Sequence, residues 1–366
     1  MAMTDKRSMI PDPPRRGFLE WLDDRYGVSK VREFMRHKSV PTHRGSVWYY
    51  FGGLSLFLFI VQILSGILLL LYYRVGAESS YESVRFITTK VPFGWLIRSI
   101  HSWGANLMVL AAIIHMFSVY FERAYRKPRE LTWLTGMALL GLAMFFGFSG
   151  YLLPWNKLAF FATKVGTEIV GVIPGAGHFM LRLLRGSDDV TGATLSRFFG
   201  LHAAILPAVF TLILMIHLMF VQVQGMSEPL GHQEKRKPMP FFPNFLLRDL
   251  LLWLLALNLL ALLAVFFPWE LGDKADPFAS APAGIRPEWY FLAMFQMLKF
   301  IPAKVLAIDG ELLGVAGIGL GLAFWALFPF WDRAASRGER RSWVTLLGII
   351  IVIGFLVFTI LGWVLA

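Results

Sequence analysis

Four of the eight histidines in this chain fall inside long apolar stretches, His101 and His115 in one, His202 and His217 in another. An ionisable side chain at that depth in an apolar helix marks a functional site by default. On an ideal helix the 14-residue step from His101 to His115 climbs about 21 Å and returns to within about 40° of the same face. The 15-residue step from His202 to His217 climbs about 22 Å and ends about 60° away. Each helix therefore presents two imidazoles on roughly one face, and on parallel helices His101 is level with His202 and His115 with His217. Facing imidazoles inside a bundle suit the axial ligation of a low-spin haem. A lone histidine donating to a neighbouring carbonyl, or a proton relay, accounts for one such residue. Neither predicts matched depths on two helices.

Two other apolar stretches carry glycines at the same 14-residue step, Gly52 with Gly66 and Gly136 with Gly150. A flat macrocycle needs backbone to approach closely at its own depth, which glycine permits. Ordinary helix packing is the other use of such positions. Two glycine pairs in step with two histidine pairs favour two stacked b-type haems, held non-covalently and each ligated by two histidines. Haem propionates are anionic, so cations at the membrane boundary are expected beside them. Arg98, one turn before His101, and Arg129, just before the third apolar stretch, are placed for that role, with snorkelling to headgroups as the alternative. His37, His43, His178 and His232 lie in loops or the leader, and no ligand role is expected of them.

The elements that must position these groups are membrane spans. Hydrophobic residues make up 56% of the 366-residue chain and charged residues 16%, against about 45–50% and 25% in soluble domains. Seven runs are long enough to cross about 30 Å of hydrocarbon: residues 48–73, 101–121, 132–153, 199–222, 249–268, 311–331 and 343–365. The predicted fold is an all-α integral membrane protein, a four-helix haem-binding bundle (48–222) followed by a three-helix part (249–366). A basic leader (1–47) with no secretory signal precedes them, and a polar, proline-punctuated linker (223–248) divides them. Of the 35 Lys and Arg, 22 lie on the side of the N-terminus, which places that side on the negative, cytoplasmic face. The loops 154–198 and 269–310, on the positive side, are longer than connections require and are expected to carry function or short helices. The basic excess sits in loops between spans, which argues for membrane topology and against nucleic acid. Cysteine is absent, which excludes disulfides, iron–sulfur clusters and thioether-linked haem within the chain. Any such centre belongs to a partner.

These residues resemble the cytochrome b family of the bc and bf quinol oxidoreductases. The matching stretches are WLIRSIHSWGANLMVLAAIIHMF (95–117), KPRELTW (127–133), GYLLPWNK (150–157), LLRGS (183–187), TLSRFFGLHAAILP (194–207), ADPF (275–278), RPEWY (286–290) and KFIP (299–302). The 15-residue histidine step and the seven spans look like the bf branch, with its four-helix cytochrome b and three-helix subunit IV joined in one chain. Tyr50 stands where that branch has a haem-attaching cysteine, and Gln222 and Val223 replace a basic pair. Both departures argue against a third haem near Tyr50.

The resemblance implies a quinol-oxidation site on the positive side, with Pro154, Trp155, Pro287 and Trp289 lining the pocket, Glu288 accepting a proton and Tyr290 lining the pocket or donating a hydrogen bond. It implies that one electron goes to a Rieske-type iron–sulfur partner and the second crosses the membrane, by the His101/His202 haem and then the His115/His217 haem, to a negative-side quinone. A c-type cytochrome or equivalent acceptor, a homodimeric complex and a bacterial cytoplasmic membrane are further implied. Two other classes compete. A di-haem anchor between a soluble dehydrogenase and quinone gives no role to RPEWY, and a proton-coupled transporter predicts no haem.

Overall fold

The computed structural model describes residues 17–43, 45–230 and 237–365; His232 and most of the basic run at 234–237 lie outside them. In chain order the helices are α1 (Phe18–Tyr26), α2 (Val28–His37), α3 (Tyr50–Leu70), α4 (Ser80–Thr89), α5 (Gly94–Phe121), α6 (Glu130–Tyr151), α7 (Lys157–Gly171), α8 (Gly177–Arg185), α9 (Gly192–Gly200), α10 (Leu206–Gln224), α11 (Leu246–Phe266), α12 (Trp289–Lys299), α13 (Gly310–Trp331), α14 (Arg333–Ser336) and α15 (Ser342–Val364). Two-residue strands β1 (Ser39–Val40) and β2 (Met239–Pro240) pair, as do β3 (Lys304–Val305) and β4 (Ile308–Asp309). Among the described residues seven helices are long and apolar enough to span a membrane, the expected number. Their outward faces carry bare apolar side chains such as Leu255, Ile353 and Ile360, the surface that hydrocarbon rather than water must cover. The protein is an all-α integral membrane protein.

Boundaries depart from expectation where a helix runs on past the bilayer. The second span begins at Gly94 rather than 101, and the fourth at Gly192 rather than 199. His101 and His202 therefore lie about two and nearly three turns inside continuous helix, and Arg98 is on the same helix as His101. Within the fourth span, Leu201–Ile205 forms a π turn between α9 and α10, followed by Pro207. Proline has no N–H to give the preceding turn, and a π turn takes up one extra residue. That extra residue converts the 15-residue step between His202 and His217 into the same face change as the 14-residue step on α5.

The three-helix part packs on the four-helix part along its full depth. Midway, Leu260 of α11 is wholly buried against the interior of the bundle, and Phe57 stacks on Trp253 at 5.2 Å. At the His101 end of α5 the Trp103 indole donates to the Phe267 carbonyl (2.9 Å). At the opposite end the linker is tied to the leader through β1 and β2, with Ser39 opposite Pro240. There too a buried cluster joins α5 to α13 and α15: Arg123 (1% exposed) lies 3.9 Å from the Asp332 carboxylate, Tyr125 donates to that carboxylate at 2.6 Å, and Arg123 donates to Thr345 at 2.9 Å. The Tyr120 hydroxyl donates to the Val344 carbonyl (2.6 Å).

Removing one member of a buried ion pair strands the other. Arg123→Ala is expected to destabilise the detergent-solubilised protein by about 3–5 kcal/mol, read as a lowered unfolding temperature. The apolar double replacement Arg123→Met with Asp332→Leu should recover most of that loss.

Candidate functional site

The four histidines meet as two pairs at two depths. His101 of α5 and His202 of the π turn face each other with ring centroids 6.3 Å apart and planes at 73°. His115 and His217 line one cavity of about 340 Å³ at the other end of the bundle, together with Gly52, Gly136, Arg129 and Asp249, a size within the ordinary range of cofactor pockets.

Each glycine of the two pairs backs one imidazole. A Cβ built on Gly66 would lie 3.4 Å from His101 Cε1, one on Gly52 3.1 Å from His115 Cε1, one on Gly136 3.3 Å from His217 Cε1, and one on Gly150 2.6 Å from His202 Cε1. The glycines thus let each ring lie edge-on against the neighbouring helix. Three rings are held there by a hydroxyl from the residue just before the glycine: His101 Nδ1 by Ser65 (2.9 Å), His217 Nδ1 by Thr135 (2.9 Å) and His202 Nδ1 by Ser149 (3.2 Å). These hydroxyls already donate to carbonyls of their own helices, Ser65 to Val61, Thr135 to Thr132 and Ser149 to Phe146. They must therefore accept from the imidazoles. Nδ1 carries the proton, and Nε2 keeps the lone pair a metal needs. His202 Nδ1 also faces the Phe146 carbonyl at 3.2 Å, which can only accept. Sequence reading missed the hydroxyls, although Ser65-Gly66, Thr135-Gly136 and Ser149-Gly150 are visible as dipeptides.

The two arginines differ. Arg129 donates to the Gln224 carbonyl (2.9 Å), its buried Nε has no partner among the described residues, and it lines the His115/His217 cavity. Burial, and then the charge of Arg126, lowers its pKa, so an anion there would be welcome. Arg98 is buried and donates to the carbonyls of Trp269 (2.5 Å) and Glu270 (3.1 Å), tying α5 to the segment after α11 while keeping three of its five N–H donors. Asp249, which the sequence reading did not single out, is a buried carboxylate at the cavity wall with Oδ1 unpartnered. His43 lines the same cavity, edge-on to Tyr49. Exposed His37 and His178 lie 3.8 Å from the Glu33 and Asp188 carboxylates. Tyr50 stacks flat on Phe245, centroids 4.7 Å apart at 14°, and the Lys38 ammonium of the leader donates to the Gln222 side chain.

At the His101 end of the bundle the two long loops meet. Ala275 N donates to the Trp155 carbonyl (3.0 Å), Lys157 N to the Asp273 carbonyl (2.8 Å), and the Asn156 side chain both caps α7 and donates to the Leu271 carbonyl (2.7 Å). Trp155 is 2% exposed and edge-on to Phe160, so it packs the loop cluster, while Pro154 and Pro287 remain half-buried. Glu288 precedes α12, and burial raises its carboxyl above the usual carboxylate range. Tyr290 is buried; burial, and then the neighbouring Glu288 and Tyr151, raise its hydroxyl well above the ordinary value. It enters a notch at Gly147, where a Cβ would lie 1.9 Å from the tyrosine oxygen. Trp289 donates to Asn106 of α5 at 2.8 Å. Arg286 sits over the Trp363 ring at 3.7 Å and donates to its carbonyl. The segment 286–290 is thus held by three separate helices.

A family model described as cytochrome b/b6/petB matches residues 36–225, and one described as cytochrome b (C-terminal)/b6/petD matches residues 274–366. The cytochrome bc complex cytochrome b subunit of Chlorobaculum thiosulfatiphilum is 47% identical over 352 residues, 95% of this chain and 81% of that protein. Cytochrome b6 of Heliobacterium mobile is 42% identical over 213 residues, 58% of this chain and 100% of its own length. A solved structure described as a hyperthermophilic respiratory Complex III superposes with a TM-score of 0.83 at 31% identity, covering 94% of this chain and 91% of that one. The chain belongs to the cytochrome b/b6 family of bc/bf-type quinol oxidoreductases, and its role is that of an oxidoreductase subunit.

A side chain at Gly150 would drive His202 off α6, whereas a Cβ at Gly141 meets nothing within 4 Å. Gly150→Val is expected to lower the b-type absorbance per chain by about half, on the two-haem reading of these pairs. Gly141→Val should leave it unchanged.

Proposed function

We propose that this chain is the di-haem subunit of a bc-type complex that oxidises quinol on the positive side of the membrane and reduces a quinone on the negative side. The observation that carries this reading is the set of four glycine-backed imidazoles at two depths, three of them with Nδ1 turned to a hydroxyl of a neighbouring helix. His101 with His202, and His115 with His217, would each hold one b haem, and Arg129 would meet a propionate with its unpartnered Nε. Arg98 would do the same on the positive side with the donors left over from its carbonyl bonds. When bound, these haems supply one-electron acceptors separated by about 21 Å of helix rise. The stacked Tyr50 and Phe245 fill the space between the start of α3 and the start of α11, which supports two haems and no third.

Quinol oxidation releases two protons and two electrons. Glu288 stands beside Tyr290 and Tyr151 in a water-poor pocket and would take one of the protons; Tyr290, seated at Gly147, would fix the quinol ring or its oxygen. Pro154 and Pro287 would shape the mouth, with Trp289 holding α12 against α5 and Trp155 holding the opposing loop. The first electron goes to a Rieske-type iron–sulfur partner and onward to a c-type cytochrome or equivalent acceptor. On the negative side, Asp249 would hand a proton to the reduced quinone. The leader faces the cytoplasm of a bacterial cell, and the complex is a homodimer.

Pyridine haemochrome quantification on the purified protein should return two b haems per chain; none would end the reading, and three would overturn the role given to Tyr50 and Phe245. Only the ionised carboxylate of Glu288 can accept a proton. With its pKa raised by burial, quinol oxidation should rise with pH through a value above the ordinary carboxylate range and fall away below it. Glu288→Gln is expected to slow the reaction by about 100-fold or more and to abolish that limb, with both haems retained. A stopped-flow rate series across pH checks it.

A further inference from the structure

Three of the four imidazoles share one arrangement and the fourth breaks it. At His101, His202 and His217 the residue before the backing glycine is a hydroxyl, Ser65, Ser149 or Thr135, and it accepts from Nδ1. Each hydroxyl passes its own proton to a carbonyl of its helix, at 2.6 Å from Ser65 to Val61, 3.2 Å from Ser149 to Phe146 and 2.9 Å from Thr135 to Thr132. The imidazole thus ends a short relay anchored in the backbone. His115 is backed by Gly52 in the same way, but the preceding residue is Phe51. Among the described residues nothing bonds the buried Nδ1 of His115. Ser118 and Ser55, which line the same cavity, donate to the His115 and Phe51 backbone carbonyls instead.

The two levels of the bundle therefore differ. On the positive side both imidazoles of the pair donate to an acceptor, and His202 has the Phe146 carbonyl as a second one. On the negative side only His217 does. A ligand imidazole that donates its distal N–H becomes more basic at the metal-binding nitrogen, and the outer partner tunes the metal's electronics. More electron density favours the oxidised metal and lowers the reduction potential. One without such a partner leaves the reduced state comparatively favoured.

We propose that these hydroxyls set the relative electron affinity of the two centres, and that Phe51 in place of a fourth hydroxyl makes the negative-side centre the stronger acceptor. The inference rests on the reading of the histidines as haem ligands. It assigns to Ser65, Ser149 and Thr135 a positioning and tuning role that composition and spacing did not reveal. It also gives Phe51 a function by omission: a Ser or Thr there would occupy the same place relative to Gly52 as Ser65 does relative to Gly66.

The test is a spectroelectrochemical titration of the intact complex, with haem content measured on every sample. Ser65→Ala should raise the midpoint of the positive-side haem alone, and Phe51→Ser should lower that of the negative-side haem alone. Each change should narrow the preference of an electron for the negative side by about tenfold, which is 59 mV for a one-electron couple. Ser65→Thr keeps the hydroxyl and should restore the original midpoint, which separates tuning from mere packing. Unmoved midpoints in Ser65→Ala and Phe51→Ser at full haem content would overturn the proposal while leaving the ligand assignment intact. A parent protein without haem would overturn the ligand assignment itself, and this inference with it.

Discussion

Water is absent from the interior of a membrane-spanning bundle, so every polar group there must find its partner in protein. For an imidazole offered to a cofactor the demand is double, since Nε2 must stay free while Nδ1 must be satisfied. In this chain the neighbouring helix meets the demand at three of the four rings with a glycine that admits the ring edge and a hydroxyl one residue earlier that accepts from Nδ1. The close packing of α3 on α5 and of α6 on α10, the matched depths of the two pairs, and the orientation of each ring all follow from that contact. The π turn at Leu201–Ile205 belongs to the same constraint, because without it the ring of His202 would rotate out of line with His217.

The proposed quinol pocket depends on the bundle in a different way. Its acidic residue sits on the three-helix part, but the groups that hold it belong to three separate helices: Asn106 on α5 receives the Trp289 indole, Gly147 on α6 admits Tyr290, and Trp363 on α15 carries Arg286. Asn106 lies five residues after His101 on the same helix, so this segment and the His101/His202 pair share a rigid frame. At the opposite surface the Arg123, Asp332 and Tyr125 cluster fastens α13 and α15 to α5. Both parts match family models on one continuous chain, and these contacts hold them as one body, whereas the relatives described as cytochrome b6 correspond to 58% of it.

Much of this was legible in the residues. Seven spans, a four-plus-three division, two histidine pairs and two glycine pairs follow from hydropathy and from the 3.6-residue period, because a membrane constrains composition along the whole length of a helix. The RPEWY segment was readable through resemblance, since four or five residues in a loop carry no periodicity of their own. The helix ends were less legible: α5 and α9 run beyond the hydrocarbon, where polar residues no longer signal a boundary.

What the sequence determined by itself was the set of groups, their depth and the company of glycines, all properties of position along a helix. The tertiary structure alone decided which ring each glycine backs, which hydroxyl each of three Nδ1 atoms reaches, and that among the described residues His115 Nδ1 reaches none. It also decided that Asp249 and Arg129 share a cavity and that Tyr290 fills the notch at Gly147. The reason is physical: spacing fixes height and approximate angle on one helix, but a contact between helices depends on their relative rotation and approach, which only the packed bundle sets.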